Sequence, residues 1–287
     1  MTRKQRSETK GSMNRTAAAA ETTTASICAA LDALRLPKVR EALDAQLEKP
    51  TEGLSRLEWL WTLIEPQITY RVERRIERRV REARLPVRKT LEAFDFDFQP
   101  TLDRDLVIEL STLRFLDHGT NILLAGMSGT GKIHIAMALA LNACAANWRV
   151  RYTTSAEMLE TLNASLADES LPKALKQYVV PELLLIDEVG MEQVERGTAM
   201  RAGLMQKVLL PGCHEHRSTI ITSNIPWDGW GDYLDDRLGA TALLDRLIHH
   251  SHVIVINGPS WREHEHKMEV EAARTNAAAA KPPRGAV

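Results

Sequence analysis

Residues 121–139 read NILLAGMSGTGKIHIAMAL: a short apolar run, a glycine-rich loop and the beginning of an apolar helix. The loop matches the phosphate-binding pattern GxxxxGK in the strand–loop–helix setting that this pattern requires. Its glycines allow backbone N–H groups to face phosphate oxygens, and the helix N-terminus adds the positive end of its dipole. A glycine-rich turn that binds nothing is the alternative. The stretch predicts the first strand and helix of a nucleotide-binding α/β domain.

Eight loop residues are predicted to hold the nucleotide, with ATP and Mg²⁺ as cofactors. They are Gly126, Met127, Ser128, Gly129, Thr130, Gly131, Lys132 and Ile133. Lys132 is placed to neutralise the β- and γ-phosphates. Ile133 occupies the position at which the pattern has Ser or Thr, whose hydroxyl binds Mg²⁺. Because a hydrocarbon side chain cannot bind a metal ion, we expect ATP binding to survive through the backbone and Lys132, and hydrolysis to suffer.

Four further apolar runs follow this one along the chain. They are VRYTT at 150–154, LLLID at 183–187, TIITS at 219–223 and VIVI at 253–256. Continuous apolar runs of this length, separated by helical segments, are typical of parallel strands covered by helices on both faces. The chain is therefore predicted to contain a three-layer α/β domain. Thr154 and Glu157 form a capping box, which predicts that a helix begins directly after the second strand.

Polar residues follow two of these strands and mark a candidate catalytic site. Asp187 would hold Mg²⁺ through water, and Glu188 would orient or deprotonate the attacking water. Acids commonly follow buried strands, but here they accompany a phosphate loop. Asn224 would contact the γ-phosphate or the water, unless it only forms the turn before Pro226. Arg246 is either an arginine finger for a neighbouring subunit's nucleotide or a solvated or salt-bridged arginine.

The composition excludes several classes of protein. Of 287 residues, 44% are hydrophobic and 26% are charged, which excludes a mainly disordered or collagen-like chain. No apolar run approaches the roughly 18 residues of a membrane span, and the N-terminus lacks the apolar region of a secretory signal. Three separated cysteines do not suggest a disulfide framework. We expect a cytoplasmic protein that has no membrane partner.

Composition divides the chain into five parts. We predict a disordered segment at 1–25, a basic helical domain for DNA binding or oligomerisation at 26–90, a linker at 91–118, the nucleotide-binding core at 119–260 and a flexible tail at 261–287. The first hundred residues carry 19 Lys and Arg against 15 Asp and Glu, whereas the rest of the chain is mildly acidic. This asymmetry suggests that the two parts have different roles.

Apolar residues recur at helical spacing in residues 54–64 and 102–116, and arginines dominate residues 71–89, which hold nine Lys and Arg and three Glu. A helix with a narrow apolar stripe and this charge excess favours contact with the phosphate backbone of duplex DNA. The residues predicted to contact DNA are Arg71, Arg74, Arg75, Arg78, Arg79, Arg81, Arg84, Arg88 and Lys89. The alternative is a solvated helix braced by Glu–Arg pairs four residues apart.

Four motifs together resemble one protein family. GMSGTGKIHIAMAL, LLLIDEVG, RSTIITSN and LLDRLIHHSHVIVI, in this order, resemble the IstB-like ATPases, which are helper proteins of insertion-sequence transposition. These are relatives of the DnaC helicase loaders within the AAA+ group. The resemblance covers about residues 71–262. It implies an AAA+ P-loop NTPase core with strand order 5-1-4-3-2, preceded by a small helical domain and without a C-terminal lid.

The resemblance also implies partners and residue roles. Members of the family assemble as homo-oligomers on duplex DNA, hold nucleotide at subunit interfaces and direct a transposase encoded alongside. By position, Lys132 would bind phosphate, Asp187 and Glu188 would form the acidic pair, Asn224 would be the sensor and Arg246 the finger acting on the neighbouring subunit.

Three functions are therefore open. The first is an ATP-dependent transposition helper. The second is a DNA clamp or adaptor that binds nucleotide with little hydrolysis, because Ile133 stands where the family has Thr or Ser. The third is a replicative helicase loader, which shares the core motifs. A basic segment in place of a recognisable helicase-docking domain favours transposition.

Overall fold

The chain forms two compact units, Met1–Arg75 and Ile76–Val287. The structure, a computed structural model, describes residues 22–47, 53–191, 201–214 and 217–279, with side chains omitted at 211–214 and 271–279. Of the segment predicted to be disordered, residues 1–21 lie outside the described residues, and residues 22–25 are helical.

The first unit is helical. It contains a helix over residues 22–33 (α1), a second helix at Pro37–Leu47 (α2) and the larger part of a third, Arg56–Ala83 (α3). Proline is tolerated as the first residue of α2 because its missing N–H would have no helical partner there. The sequence predicted separate helical segments at 54–64 and 71–89, whereas α3 is continuous across residues 65–70 and contains Pro66.

Five parallel strands form the sheet of the second unit. They are β1 Asn121–Gly126, β2 Val150–Thr154, β3 Leu183–Val189, β4 Ser218–Ser223 and β5 Ser251–Ile256. Their order is β2-β3-β4-β1-β5, which confirms the predicted order 5-1-4-3-2. Because β4 lies between β1 and β3, the carboxyl ends of these three strands meet at one edge of the sheet. That edge holds the candidate site.

Helices cover both faces of this sheet. After α3, the α-helices of this unit are α4 Arg104–Ser111, α5 Arg114–Asp117, α6 Lys132–Ala145, α7 Ser155–Ala167, α8 Leu171–Val179, α9 Arg201–His214, α10 Trp230–Tyr233, α11 Arg237–His249 and α12 Trp261–Ala279. The described side chains of α12 are almost all exposed, so this helix does not cover the sheet. Successive strand side chains point to opposite faces, so Ile122 and Leu124 belong to one core cluster and Leu123 to the other. This alternation confirms the three-layer architecture. Thr154 caps α7 by accepting the N–H of Glu157 (3.1 Å).

Residues 91–118, predicted to be a linker, pack into the α/β unit. Phe94, Leu110 and Phe115 are buried in the same core cluster as β1. The single helix predicted for residues 102–116 is divided into α4 and α5, because Leu113 adopts a left-handed conformation (φ 66°) that ends the first helix. The segment is therefore part of the core rather than a spacer.

The C-terminal region also differs from the prediction. Residues 261–279, predicted to belong to a flexible tail, form α12, a single helix rather than a lid domain. The predicted basic helix ends at Ala83, and Arg84 adopts a left-handed conformation (φ 56°). None of the described helices is long and apolar enough to cross a bilayer.

Candidate nucleotide-binding site

The phosphate loop connects β1 to α6 and is closed around its own lysine. Lys132 is the first residue of α6, is buried, and donates hydrogen bonds from Nζ to the carbonyl oxygens of Gly126 (2.8 Å) and Met127 (2.7 Å). The hydroxyl of Thr130 donates to the same Met127 oxygen (2.9 Å). These bonds hold the ammonium group at the inner side of the loop, where it can exchange carbonyl partners for phosphate oxygens.

Two loop glycines cannot be replaced without distortion. Gly129 and Gly131 adopt left-handed conformations (φ 82° and 96°) that other residues rarely accept. A Cβ atom on Gly131 would lie 2.6 Å from the ring of Phe94, and one on Gly129 would collide with the hydroxyl of Ser260. The loop is therefore shaped by neighbours on both sides, residues 94 and 260, as well as by its own sequence.

Burial lowers the pKa of Lys132 to about 8. The negative charge of Asp187 opposes this shift, whereas the positive charge of Arg262 on α12 adds to it. Arg262 thus lies close enough to affect the loop lysine. A lysine in this state gains from the arrival of an anion, because phosphate charge favours its protonated form.

A cavity of about 770 Å³ lies over the loop, which is ample for a nucleoside triphosphate. Nine of the residues predicted to bind nucleotide or act in catalysis line it: Ser128, Gly129, Thr130, Gly131, Lys132, Ile133, Asp187, Glu188 and Asn224. Gly126 and Met127 instead supply the carbonyl oxygens that hold Lys132. Arg246 is exposed on α11 and does not line the cavity of its own chain.

Asp187 is held by hydroxyl groups from both neighbouring strands. Tyr152 of β2 donates to one carboxylate oxygen (3.2 Å), and Thr222 of β4 donates to the other. Burial, followed by the adjacent charge of Asp187, raises the pKa of Tyr152, so this hydroxyl keeps its proton. The carboxylate is thereby fixed in orientation at the carboxyl end of β3.

Glu188 lies at an irregularity in the sheet. The pairing of β3 with β4 shifts register between Ile186 and Val189, and Glu188 adopts a left-handed conformation (φ 61°). Such a conformation costs about 1–3 kcal/mol in a residue other than glycine and is often found at functional sites. Its N–H donates to the hydroxyl of Thr222 (3.1 Å). The bulge turns Glu188 into the cavity beside Asp187.

Sequence reasoning missed Tyr152 and Thr222 as site residues. Thr222 joins the two acids by donating to Asp187 and accepting from the backbone of Glu188. A polar residue at the carboxyl end of an apolar strand could have indicated Thr222. Nothing in the sequence of β2 singles out Tyr152, because its role depends on pairing between β2 and β3.

Asn224 lies beyond the end of β4 and faces the cavity. Its side-chain amide donates to the sulfur of Met191 (3.1 Å), and its backbone N–H donates to Val189 (3.3 Å). The second bond ties the residue to the end of β3. The position next to the acidic pair is the one expected of a residue that contacts the γ-phosphate.

Ile133 is half-buried and lies between the cavity and the core. It lines the cavity and also packs against the core cluster that contains Ile122 and Leu124. Its side chain offers no oxygen at the position where the loop pattern places a metal-binding hydroxyl. ATP fits the loop, the buried lysine and the cavity volume. The donor set for Mg²⁺ is weaker, because the loop offers no hydroxyl at this position and the ion would depend on oxygens outside the loop, such as those of Asp187.

Two residues assigned to DNA contact lie elsewhere. Arg88 and Lys89 follow the end of α3 in a non-helical segment and line the nucleotide cavity, so their assignment to a basic helix is wrong. The segment is anchored to α6, because Thr90 and His134 share a hydrogen bond (2.9 Å). Both cations are exposed where they line the cavity, and their contact with DNA stays a prediction.

The other arginines of the basic segment lie on or just after α3. Arg71, Arg75 and Arg81 are exposed, as is Arg84 after the helix. Arg74 contacts Tyr70 through its hydroxyl (3.3 Å) and its ring. Arg78 and Arg79 approach Glu82 at 3.9 and 3.6 Å. Exposed pairs at these distances contribute little to stability and leave the guanidinium groups accessible to other anions.

Comparison with known proteins assigns the family. A sequence profile described as IstB-like ATP binding protein matches residues 29–269. The chain belongs to this family. A protein of insertion sequence IS5376 from Geobacillus stearothermophilus, named for ATP binding, is 34% identical over 239 residues, which are 83% of this chain and 94% of the relative. A similarly named protein of insertion sequence IS21 from Pseudomonas aeruginosa is 36% identical over 233 residues, 81% of this chain and 86% of the relative.

This IstB-like chain is also similar to solved structures, two of which are DnaI and the DnaC helicase loader. DnaI covers 60% of this chain and 90% of its own, at 20% identity and a TM-score of 0.48. The DnaC helicase loader covers 53% of this chain and 86% of its own, at 19% identity and a TM-score of 0.44. The family match extends beyond the motifs that first indicated it, since it includes α2, α3 and the beginning of α12.

Proposed function

We propose that this chain is an ATP-binding helper of insertion-sequence transposition, which assembles on duplex DNA and directs a partner transposase. The observation that carries the proposal is a single cavity in which the phosphate loop faces Asp187, Glu188 and Asn224. The relatives from G. stearothermophilus and P. aeruginosa, both named for insertion sequences, support transposition over helicase loading.

The residues around the cavity are proposed to have different roles in ATP binding and hydrolysis. Backbone N–H groups of the loop and the ammonium group of Lys132 hold the phosphates. Asp187, oriented by two hydroxyl groups, would hold Mg²⁺ through water, and the bound ion would neutralise charge on the phosphates. Glu188 orients or deprotonates the attacking water, while Asn224 contacts the γ-phosphate.

A second candidate function, a DNA clamp with very little turnover, is favoured by Ile133. Because this side chain packs against the core and offers no oxygen, it removes one metal ligand without disturbing the phosphate loop. Binding then suffers less than catalysis, and the ATP-bound state is long-lived. Steady-state release of phosphate separates the two candidates, since a clamp releases almost none.

Duplex DNA is proposed to contact the arginines of α3 through its backbone. Residues 71–84 carry seven Arg against three Glu, which leaves more positive charge than internal pairing uses. Arginines at this density meet phosphates rather than base edges, so no sequence preference is expected.

The DNA proposal is tested by the salt dependence of binding to a labelled duplex. If four to six phosphates are contacted, the slope of log affinity against log salt is about −4 to −5. Changing Arg74, Arg75, Arg78 and Arg79 together to Gln should flatten the slope, whereas changing the same four to Lys should preserve it. A slope indifferent to the Gln changes would contradict DNA binding by α3.

The homo-oligomer is proposed to hold nucleotide at subunit interfaces. Arg246 is exposed on α11 and is absent from its own cavity, as a residue that acts on a neighbouring subunit must be. The proposed partner, a transposase encoded alongside, should co-purify with the DNA-bound chain in the presence of ATP and not with the Lys132→Ala variant.

A further inference from the structure

We propose that a cleft beside the start of β2 binds a phosphodiester group of the DNA backbone. The inference rests on the proposed function and adds a site to it. The cleft has a volume of about 230 Å³ and is lined by Arg79, Arg149 and Arg151, which we call the arginine cleft, together with Glu82. Arg149 directly precedes β2, so the cleft lies at the amino-terminal edge of the sheet, opposite the nucleotide cavity.

Arg151 is a buried cation with an unused donor. The residue is 8% exposed, and within the described part of the chain its Nε has no hydrogen-bond partner. Its guanidinium lies 5.9 Å from the ring centre of Tyr178. Burial and the charge of Arg84 lower its pKa, while Tyr178 and Glu157 act in the opposite direction. A buried donor without an acceptor is costly, and an anion in the cleft would supply one.

The other two arginines are held loosely. Arg79 donates from Nε to the side chain of Asn147 (3.1 Å) and lies 3.6 Å from Glu82. Arg149 lies 3.3 Å from Glu182 and keeps half of its side chain exposed. Partly exposed ion pairs of this kind contribute about 0–1 kcal/mol. Exchanging them for a doubly hydrogen-bonded phosphate is therefore favourable.

Strand geometry brings two of the arginines to one side. Arg149 and Arg151 are two residues apart, so with extended backbone their side chains point in the same direction, while that of Val150 points away. Arg79 reaches the same cleft from α3. Three guanidinium groups from two elements thus converge on one space, where the carboxylates of Glu82 and Glu182 leave an excess of positive charge.

DNA explains this cleft better than a carboxylate from a second copy of the chain. Arg79 belongs both to the arginine series of α3 and to the cleft, and Arg84, just after α3, lies close enough for its charge to act on Arg151. A series of guanidinium groups matches the repeated phosphates of a nucleic-acid backbone. A single acidic side chain would satisfy the cleft but leave the rest of the series unused.

The test compares two double variants in salt titrations with a labelled duplex. Arg79→Gln with Arg149→Gln should reduce the magnitude of the log–log slope by about two, because each lost phosphate contact removes about 0.9. The matched control, Lys207→Gln with Lys267→Gln, removes two exposed charges outside the cleft and should preserve the slope. ATP affinity should be unchanged in both. If the first pair unfolds, the single variant Arg149→Gln should reduce the slope by about one.

A further variant should change DNA affinity in the opposite direction. Glu182→Gln removes the carboxylate that competes for Arg149, so DNA affinity should rise several-fold. An unchanged or lower affinity would overturn the cleft.

Other outcomes separate the cleft from the proposed function. If the cleft pair leaves the slope unchanged while the Gln changes at Arg74, Arg75, Arg78 and Arg79 flatten it, the cleft is wrong and DNA binding by α3 stands. If neither set changes the slope, DNA assembly through α3 fails as well. If the cleft pair weakens self-association and leaves the slope intact, an acidic group of a second copy occupies the cleft.

Discussion

The backbone N–H of Trp261 donates a hydrogen bond to the carbonyl oxygen of Gly129 (2.9 Å), which fastens the beginning of α12 to the middle of the phosphate loop. Ser260 caps the helix by accepting the N–H of Glu263 (3.4 Å). The ring of Trp261 packs edge-on against Phe98 at 4.8 Å. The nucleotide site therefore includes a helix that follows the last strand, although no separate lid domain is present among the described residues.

Trp261→Pro should weaken ATP binding about fivefold relative to Trp261→Ala. Proline at the first helical position removes the N–H that supports Gly129 but leaves the helix intact, whereas alanine removes the indole alone and keeps the N–H. A hydrogen bond of this kind is worth about 1 kcal/mol. Calorimetric titration with ATP measures the difference. Equal affinities of the two variants would show that the bond does not support the loop.

Lys132→Ala should lower ATP affinity by about 10- to 100-fold, because a hydrogen bond to a charged group contributes about 1.5–3 kcal/mol. The side chain donates to carbonyl oxygens of its own loop, so its loss should leave the fold and the circular dichroism spectrum unchanged. Unchanged affinity in a folded variant would show that phosphates bind elsewhere.

ATP affinity should fall as the pH rises through the pKa of Lys132. In the free protein burial lowers this pKa to about 8, and bound phosphate raises it by favouring the charged form. Binding is therefore insensitive to this group well below pH 8 and requires proton uptake above it. The affinity should drop about tenfold per pH unit there. Lys132→Arg keeps a cation that does not titrate and should abolish the dependence.

The central sheet was predictable because its signals are local. Five continuous apolar runs and the GxxxxGK loop identify strands buried on both faces, and the family resemblance supplied their order. The cap at Thr154 was predictable for the same reason, since it depends on residues three apart. The position of Asp187 at a strand end followed from its place after LLLI.

The features that the sequence did not predict depend on contacts between distant parts of the chain. The sequence of α12 is charged and rich in alanine, without an apolar face, and the helix is anchored by Trp261 on the loop and Phe98. The bulge at Glu188 and the hydroxyl of Tyr152 become visible only once the strands are paired. Arg88 and Lys89 continue an arginine-rich run, but the helix ends before them and the chain turns to the nucleotide cavity.

Variants of Arg246 and Glu188 should complement each other if the arginine acts on a neighbouring subunit. Arg246→Ala removes the finger and Glu188→Gln removes the residue that orients water, so each alone should lack nucleotide-dependent activity. In a mixed oligomer some interfaces combine an intact finger with an intact cavity, and part of the activity should return. Mixed oligomers that form but stay inactive would argue against action across an interface.

Turnover by the natural sequence and by Ile133→Thr measures the role of Ile133 most directly. The natural chain should bind ATP with an affinity that depends weakly on Mg²⁺, and it should hydrolyse ATP slowly. Restoring the hydroxyl should raise steady-state phosphate release at least tenfold, equivalent to about 1.4 kcal/mol off the barrier, and should change ATP affinity much less. Rapid Mg²⁺-dependent hydrolysis by the natural chain, with no gain from Ile133→Thr, would contradict the proposed effect of Ile133. It would show that water takes the place of the missing hydroxyl ligand.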